Sequence, residues 1–268
     1  MWVFRLLWDA ALHWLQRDAN LYAAALAYYA PFAFVPLLAL AIYLVGWVVG
    51  QETFAAALTA WGQGAAPDLT QLIRTGLENF EFSSTYWGVP FAGVLFLIWI
   101  IVTTLGYITR GLHHIWHVSE QGVWRRLSAM VRTLGFFGLL VCYLAILVFT
   151  VTLAPELVPA TLWHDLLQPF LVFLATTAFF TASFWVLSWQ PPRLSSRLIG
   201  SVVIASGILF LRTIVSWWIA FTPAVTVFGT AGVLLGLLVW VYALAIIIYY
   251  GAAVAYIFDK RYRRQHVS

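Results

Sequence analysis

Arg212 is the side chain with the most chemistry to offer in this 268-residue sequence, because it stands inside an apolar run with no acid beside it. A guanidinium is charged at any physiological pH, and its planar fork of donors suits a phosphate or a carboxylate. An ionisable group at depth in a membrane is costly, so it usually faces a bundle interior, a water-filled cavity or an anion. Its partner is open: a backbone carbonyl, the Ser216 hydroxyl one turn on, or an anionic ligand. The plain alternative is that its long stem snorkels outward to a lipid phosphate.

Two other groups could support binding, the hydroxyls and the tyrosines, while prolines and glycines set helix kinks and packing. Thr177 and Thr181 share a face with Ser188 in a run that also holds Thr176 and Ser183. Such hydroxyls either glue spanning helices together, at ~0.6–2 kcal/mol each, or line a polar path. Tyr242, Tyr249 and Tyr250 lie in the last apolar run, and a buried tyrosine hydroxyl needs a partner. The expectation is that some of them face the Tyr28–Tyr29 pair or a cavity. Pro31 and Pro36 interrupt the first apolar run, removing backbone hydrogen bonds that lipid cannot replace. They mark a kink packed against another helix, placed here against the last run. Gly232 and Gly236 form a small-xxx-small pair that permits close helix approach, and Gly251 lies further along the same run.

His113 and His117, one helical turn apart, have the spacing of two metal ligands. Glu120 is the only nearby third ligand, and Trp116 and Trp124 point instead to an interfacial patch. No metal and no cofactor is therefore assigned. The sequence holds no Gly-rich phosphate loop, HExxH, nucleophile elbow or paired carboxylates. The reading is that it is not an enzyme and has no catalytic residues. A nucleic-acid surface has no support either, because its bases follow a topological pattern.

That pattern emerges from composition. The chain is 63% hydrophobic and 9% charged, with a mean hydropathy of +0.90. A soluble domain carries about 25% charge, so too few polar residues remain to cover a soluble surface. The one cysteine, Cys142, excludes a disulfide framework. No cleavable signal peptide is expected at the N-terminus. Apolar runs at 23–49, 88–108, 131–154, 167–189, 199–220 and 231–258 each approach or exceed the ~20 residues needed to cross a bilayer. They lack the alternation of barrel strands. Arg212 falls about eight residues, ~12 Å, from the outer end of its run.

Between the runs the charges sort by sign. Arg110, Arg125, Arg126, Arg132, Arg193, Arg197, Lys260, Arg261, Arg263 and Arg264 mark one side. Glu52, Asp68, Glu78, Glu81, Glu156 and Asp165 mark the other, where Arg74 is the lone base. Basic residues lie on the cytoplasmic side, which puts both termini there. Ahead of the first run, Arg5, Asp9, His13 and Gln16 form one stripe and Phe4, Leu7, Trp8, Ala11 and Leu15 another, the pattern of a helix lying in the interface. Leu69, Leu72, Ile73, Leu77 and Phe80 predict a short amphipathic helix in the first external loop. The expected fold is an all-α, polytopic membrane bundle of six transmembrane helices plus these two amphipathic helices, as a single domain over residues 1–268.

Three motifs resemble the YihY/BrkB family. They are AAALAYYAPFAFVPLLAL in the first run, RGLHHIWHV after the second with Leu112, Ile115 and Trp116 in matching places, and a last run carrying Gly229, Trp240, Tyr242, Gly251 and Ala252. His114 stands where the family often has Asn, and Phe228 where Tyr is usual. Val254 and Ala255 lie near a place where members often carry Glu or Asn. The resemblance implies a multi-pass protein of the bacterial inner membrane, virulence-associated through serum resistance. The family's activity is poorly defined; some members have been proposed as transporters, including of lipid-like envelope precursors, and the resemblance supplies no catalytic residues.

The expected function is a transporter or lipid translocase for an anionic substrate, with Arg212, Ser216, Tyr28, Tyr29, Thr177, Thr181 and Tyr242 as candidate binding residues. Its partners would be membrane lipids and a lipid-like substrate, and an oligomer is left open. The alternative is a non-catalytic scaffold or accessory protein for envelope assembly.

Overall fold

The computed structural model describes residues 2–30, 32, 88–118, 123–152, 167–188, 190–221 and 224–266. These residues form helices and no strand. In chain order the helices are α1 (Trp2–Gln16), α2 (19–30), α3 (Gly88–Trp116), α4 (Val123–Thr152), α5 (Gln168–Leu187), α6 (Leu194–Phe221) and α7 (Ala224–His266). Most of the first apolar run, with Pro31 and Pro36, lies outside the described residues, as does the helix expected in the external loop.

Among the described residues, three segments are long and apolar enough to cross a membrane: Gln168–Leu187, Leu194–Ile214 and Gly236–Arg263, with mean hydropathies of 2.0, 1.8 and 2.2. A shorter apolar segment covers Gly135–Thr150. The helices extend beyond the apolar runs that predict them. α3 continues through RGLHHIW as one element, α4 begins at Val123 so that Arg125, Arg126 and Arg132 are helical, and α7 runs to His266. Hydropathy marks only the apolar stretch of a helix, whereas its backbone bonding continues into the basic flanks.

Breaks between helices have local causes. Pro191 and Pro192 follow α5, and proline disfavours helix in the residue before it. α1 ends at the Arg17–Asp18 turn, where Asp18 has φ 44°. α3 ends with His117 at φ 56° while Val118 N–H donates to the His113 carbonyl at 2.9 Å. That is a Schellman ending, with histidine in the left-handed position usually given to glycine.

α7 is the central element, packing against α6, α1 and α3, while α5 packs on both α4 and α6. The α6–α7 seam is made by small residues. A Cβ built on Gly200 would stand 2.5 Å from the Gly251 carbonyl oxygen, and one on Gly207 would stand 2.7 Å from Ile247. Fully buried Ala252, Ala253, Val254 and Ala255 complete the α7 side of the core. On α3, Gly111 makes room for the Tyr249 ring, 2.5 Å from where its Cβ would be. Gly236, in contrast, has nothing within 4 Å of that position among the described residues. Gly232 lies in the backbone of α7.

Candidate functional site

Polar side chains gather at one end of the bundle, where α1, the end of α3, the start of α6 and the end of α7 meet. Asp259, only 6% exposed, accepts from the Arg193 N–H and the Ser196 hydroxyl, both at 3.2 Å, and from Arg263 Nε at 2.7 Å. A carboxylate from α7 thus caps the N-terminus of α6, where the helix dipole is positive. Sequence reading alone passes over this cap, because its partners are more than 60 residues apart.

α1 is strapped across the same end. Tyr250 donates to the Leu7 carbonyl at 3.0 Å, and Arg261 pairs with Asp9 and reaches the Arg5 carbonyl. Leu6 and Ala10 are buried beneath it. Phe4 and Trp8, 71% and 59% exposed, stack at 6.5 Å and continue as an outward apolar stripe through Leu12 and Leu15. The amphipathic pattern read from the sequence is realised, with Leu7 turned inward to the core rather than outward.

Three rings stack at the heart of this end. His13, His117 and Tyr256 have centroid separations of 4.9, 5.5 and 5.8 Å and interplanar angles of 14–26°. His13 Nε2–H donates to the Ile115 carbonyl at 3.1 Å, which fixes its tautomer. Arg17 Nη2 lies 2.6 Å from His117 Nε2 and 2.8 Å from Nδ1. A neutral imidazole has one nitrogen able to accept, so the contact requires His117 without its second proton. Both histidines are held below the ordinary imidazole pKa. Burial is the main cause for each, reinforced by the Arg17 and Lys260 charges, and for His13 the Ile115 carbonyl pulls partly the other way.

His113 is buried, and among the described residues no group of three His, Cys, Asp or Glu side chains could hold a metal ion. Trp116 donates its indole N–H to the Ala252 carbonyl at 3.0 Å, so it serves the bundle rather than an interfacial patch.

The remaining candidates are dispersed. Arg212 is exposed on α6 between exposed Phe210 and Ile214. Ser216 follows in the backbone of the same helix. Thr176, Thr177, Thr181 and Ser183 are buried, and each donates to the carbonyl four residues back at 2.7–2.9 Å. Tyr143 bonds Thr176 at 3.0 Å, joining α4 to α5. Tyr29 stacks on Tyr107 of α3 at 5.0 Å, with Tyr28 edge-on and exposed. The α7 tyrosines go elsewhere than to this pair. Tyr249 meets Tyr22 and donates to the Tyr107 carbonyl at 3.1 Å, Tyr250 reaches α1, and Tyr242 packs against the core.

Between α5 and α6, a shallow and largely apolar groove of about 380 Å³ opens sideways, with Thr181 and Arg197 among its lining residues. Arg212 is not among its lining residues. Sequence reading used Arg197 only to orient the chain.

A family model described as "Virulence factor BrkB" matches residues 10–268. No curated protein and no solved structure matches the chain.

Proposed function

The chain belongs to the virulence factor BrkB family, and on that premise we propose that it is a non-enzymatic translocase of the bacterial cytoplasmic membrane for an anionic, lipid-like substrate. In this reading the chain crosses six times and keeps both termini in the cytoplasm. The topology is supported by the meeting of Arg5, Arg17, Arg193, Arg197, Lys260 and Arg261 around one end of the bundle, the arrangement that cytoplasmic basic residues produce.

The observation that carries the substrate class is Arg212. It sits on an outward face of α6, about 14 Å before that helix ends at Phe221, with large apolar residues exposed on either side. A guanidinium on that face is placed to meet a lipid headgroup. The threonine face of α5 contributes no donors to a path, since its hydroxyl protons are used within the helix. Of these threonines, among the described residues, only Thr176 bonds to another helix, through Tyr143 of α4.

The scaffold reading draws on one feature, the outward Phe4–Trp8–Leu15 stripe of α1, which fits an interface with lipid or with another membrane protein. Flux decides between the two. In liposomes, fluorescent lipids with anionic headgroups are expected to cross faster than zwitterionic ones, and Arg212→Gln should slow them about tenfold, the scale of one charge-assisted contact. Equal flux with and without the protein, or an Arg212→Gln variant as fast as the parent, overturns the translocase reading.

A further inference from the structure

α5 and α6 pack against each other, and a lateral groove opens on the outer side of their contact. Ala178 and Ala182 on α5 leave it open, because their side chains stop at Cβ. Trp185, 61% exposed, and Leu194 and Leu198 rim it. Both helices are candidate spans, so the medium against this face is lipid, and what fills an apolar groove there is an acyl chain.

The groove is not apolar throughout. Arg197 is among its lining residues, in the first turn of α6 and four residues after Arg193. Arg197 Nε is buried and has no hydrogen-bond partner among the described residues. A buried donor without a partner is costly, and a guanidinium matches phosphate oxygens in both charge and shape. Trp185 lies two residues before the end of α5, the level at which tryptophans meet headgroups. Trp185 and Arg197 thus both lie near the adjoining ends of α5 and α6, with Ala182 and Ala178 about one and two turns further in from Trp185, as a headgroup and an acyl chain would be disposed.

We infer that the α5–α6 groove is a binding site for a phospholipid with a net negative headgroup, one acyl chain lying along Ala178 and Ala182 and the phosphate held by Arg197. The inference rests on the translocase reading and assigns it a place where its substrate class is first held, near the basic end. Arg212 stands 15 residues further along α6, about 22 Å along the axis and about 60° around it. A headgroup leaving Arg197 toward the opposite leaflet would meet it next on nearly the same side of the helix.

The test is occupancy, measured apart from movement. The full chain is stripped of lipid in detergent, then titrated with phosphatidylglycerol or phosphatidylcholine and read by native mass spectrometry. One phosphatidylglycerol should bind about tenfold more tightly than phosphatidylcholine, a ratio typical of one charge-assisted contact. Arg197→Gln should bring the ratio close to one, and Arg197→Lys should restore part of it. Ala182→Leu fills the slot with the charge intact and should weaken both lipids. It also keeps the test decisive if the Arg197 variant fails to fold. Inorganic phosphate in excess should not displace the lipid, since it has no chain for the groove; displacement by phosphate alone would overturn the acyl part of the assignment. An unchanged preference in Arg197→Gln, or equal affinity for both lipids in the parent chain, overturns the site. Flux without any anionic preference in binding removes the groove and leaves the translocase. Tight binding without flux of any headgroup class removes the translocase and leaves the groove.

Discussion

The two flanks of α6 are built in opposite ways. Against α7, Gly200 and Gly207 let backbone and side chains close to contact, and buried Ala252–Ala255 leave no volume. Against α5, the small residues Ala178 and Ala182 leave a groove with a guanidinium in its lining. Small residues thus do opposite work: on one flank the facing helix fills the space they leave, and on the other part of that space lies on the open side of the helix contact. The first flank is a fixed seam, and the second is a surface with room for something that is not protein.

The seam should break first and hardest. Gly200→Ala places a methyl 2.5 Å from the Gly251 carbonyl oxygen, backbone that cannot swing aside. Overpacking of this kind costs about 1–3 kcal/mol. Gly236→Ala, with no described residue within 4 Å of the added Cβ, should instead be neutral or stabilising by up to about 1 kcal/mol. Thermal unfolding in detergent, followed by circular dichroism, compares the two directly. Equal midpoints would mean that the seam is not close-packed. A cost of similar size, about 1–3 kcal/mol, is expected for Asp259→Ala, which strips three donors of their shared acceptor at the start of α6. Hydrogen exchange should then rise in the first turn of α6 before the rest of that helix, and uniform exchange along α6 would argue against the cap.

Hydroxyls sharpen the contrast at smaller scale. Tyr249→Phe removes a bond between α7 and α3 and should cost about 1 kcal/mol by the same unfolding measurement. Thr177→Val removes a bond that stays within α5, so a loss below about 0.5 kcal/mol is expected. The reverse order of the two losses would show that the threonine face carries more than its own helix.

The sequence made the helical class legible because apolar runs of this length allow little else, and it located the apolar segment of α5 to within about two residues and those of α6 and α7 to within about six. Arg212, Thr181 and Gly251 were also visible by residue type. What it concealed was pairing. Gly200 and Gly251 face each other across 51 positions, and nothing in either local pattern distinguishes them from Gly236. The same holds for the stack of His13, His117 and Tyr256, whose members come from three helical regions. As neighbours on one turn, His113 and His117 resembled a ligand pair. The left-handed backbone at His117 instead turns its ring to Arg17 in the turn that follows α1.

That ring stack yields the smallest expected effect, and its sign follows from proton counting. His13 and His117 both have folded-state pKa values below the ordinary 6.5, chiefly through burial. Between the folded value and 6.5 the unfolded or undocked form binds more protons, so stability rises with pH across that window. The contribution is complete above about pH 6.5, declines as pH falls below it, and levels off once the folded-state values are passed. Protonating His117 removes the acceptor used by Arg17 and adds a cation beside Arg17, Lys260 and His114. Protonating His13 leaves its bond to the Ile115 carbonyl in place, so His117 is the more sensitive member. Acidification should therefore loosen α1 from the ends of α3 and α7 while the glycine seam between α6 and α7 holds. Amide exchange at pH 7.5 and pH 5.5 reads both regions in one sample. Exchange should increase in α1 at the lower pH, with little change in buried α7 around Gly251. His117→Asn keeps a residue tolerant of left-handed backbone but cannot protonate in this range, so it should flatten most of the pH response. An α1 equally protected at both pH values would show that the stack holds this helix by packing alone.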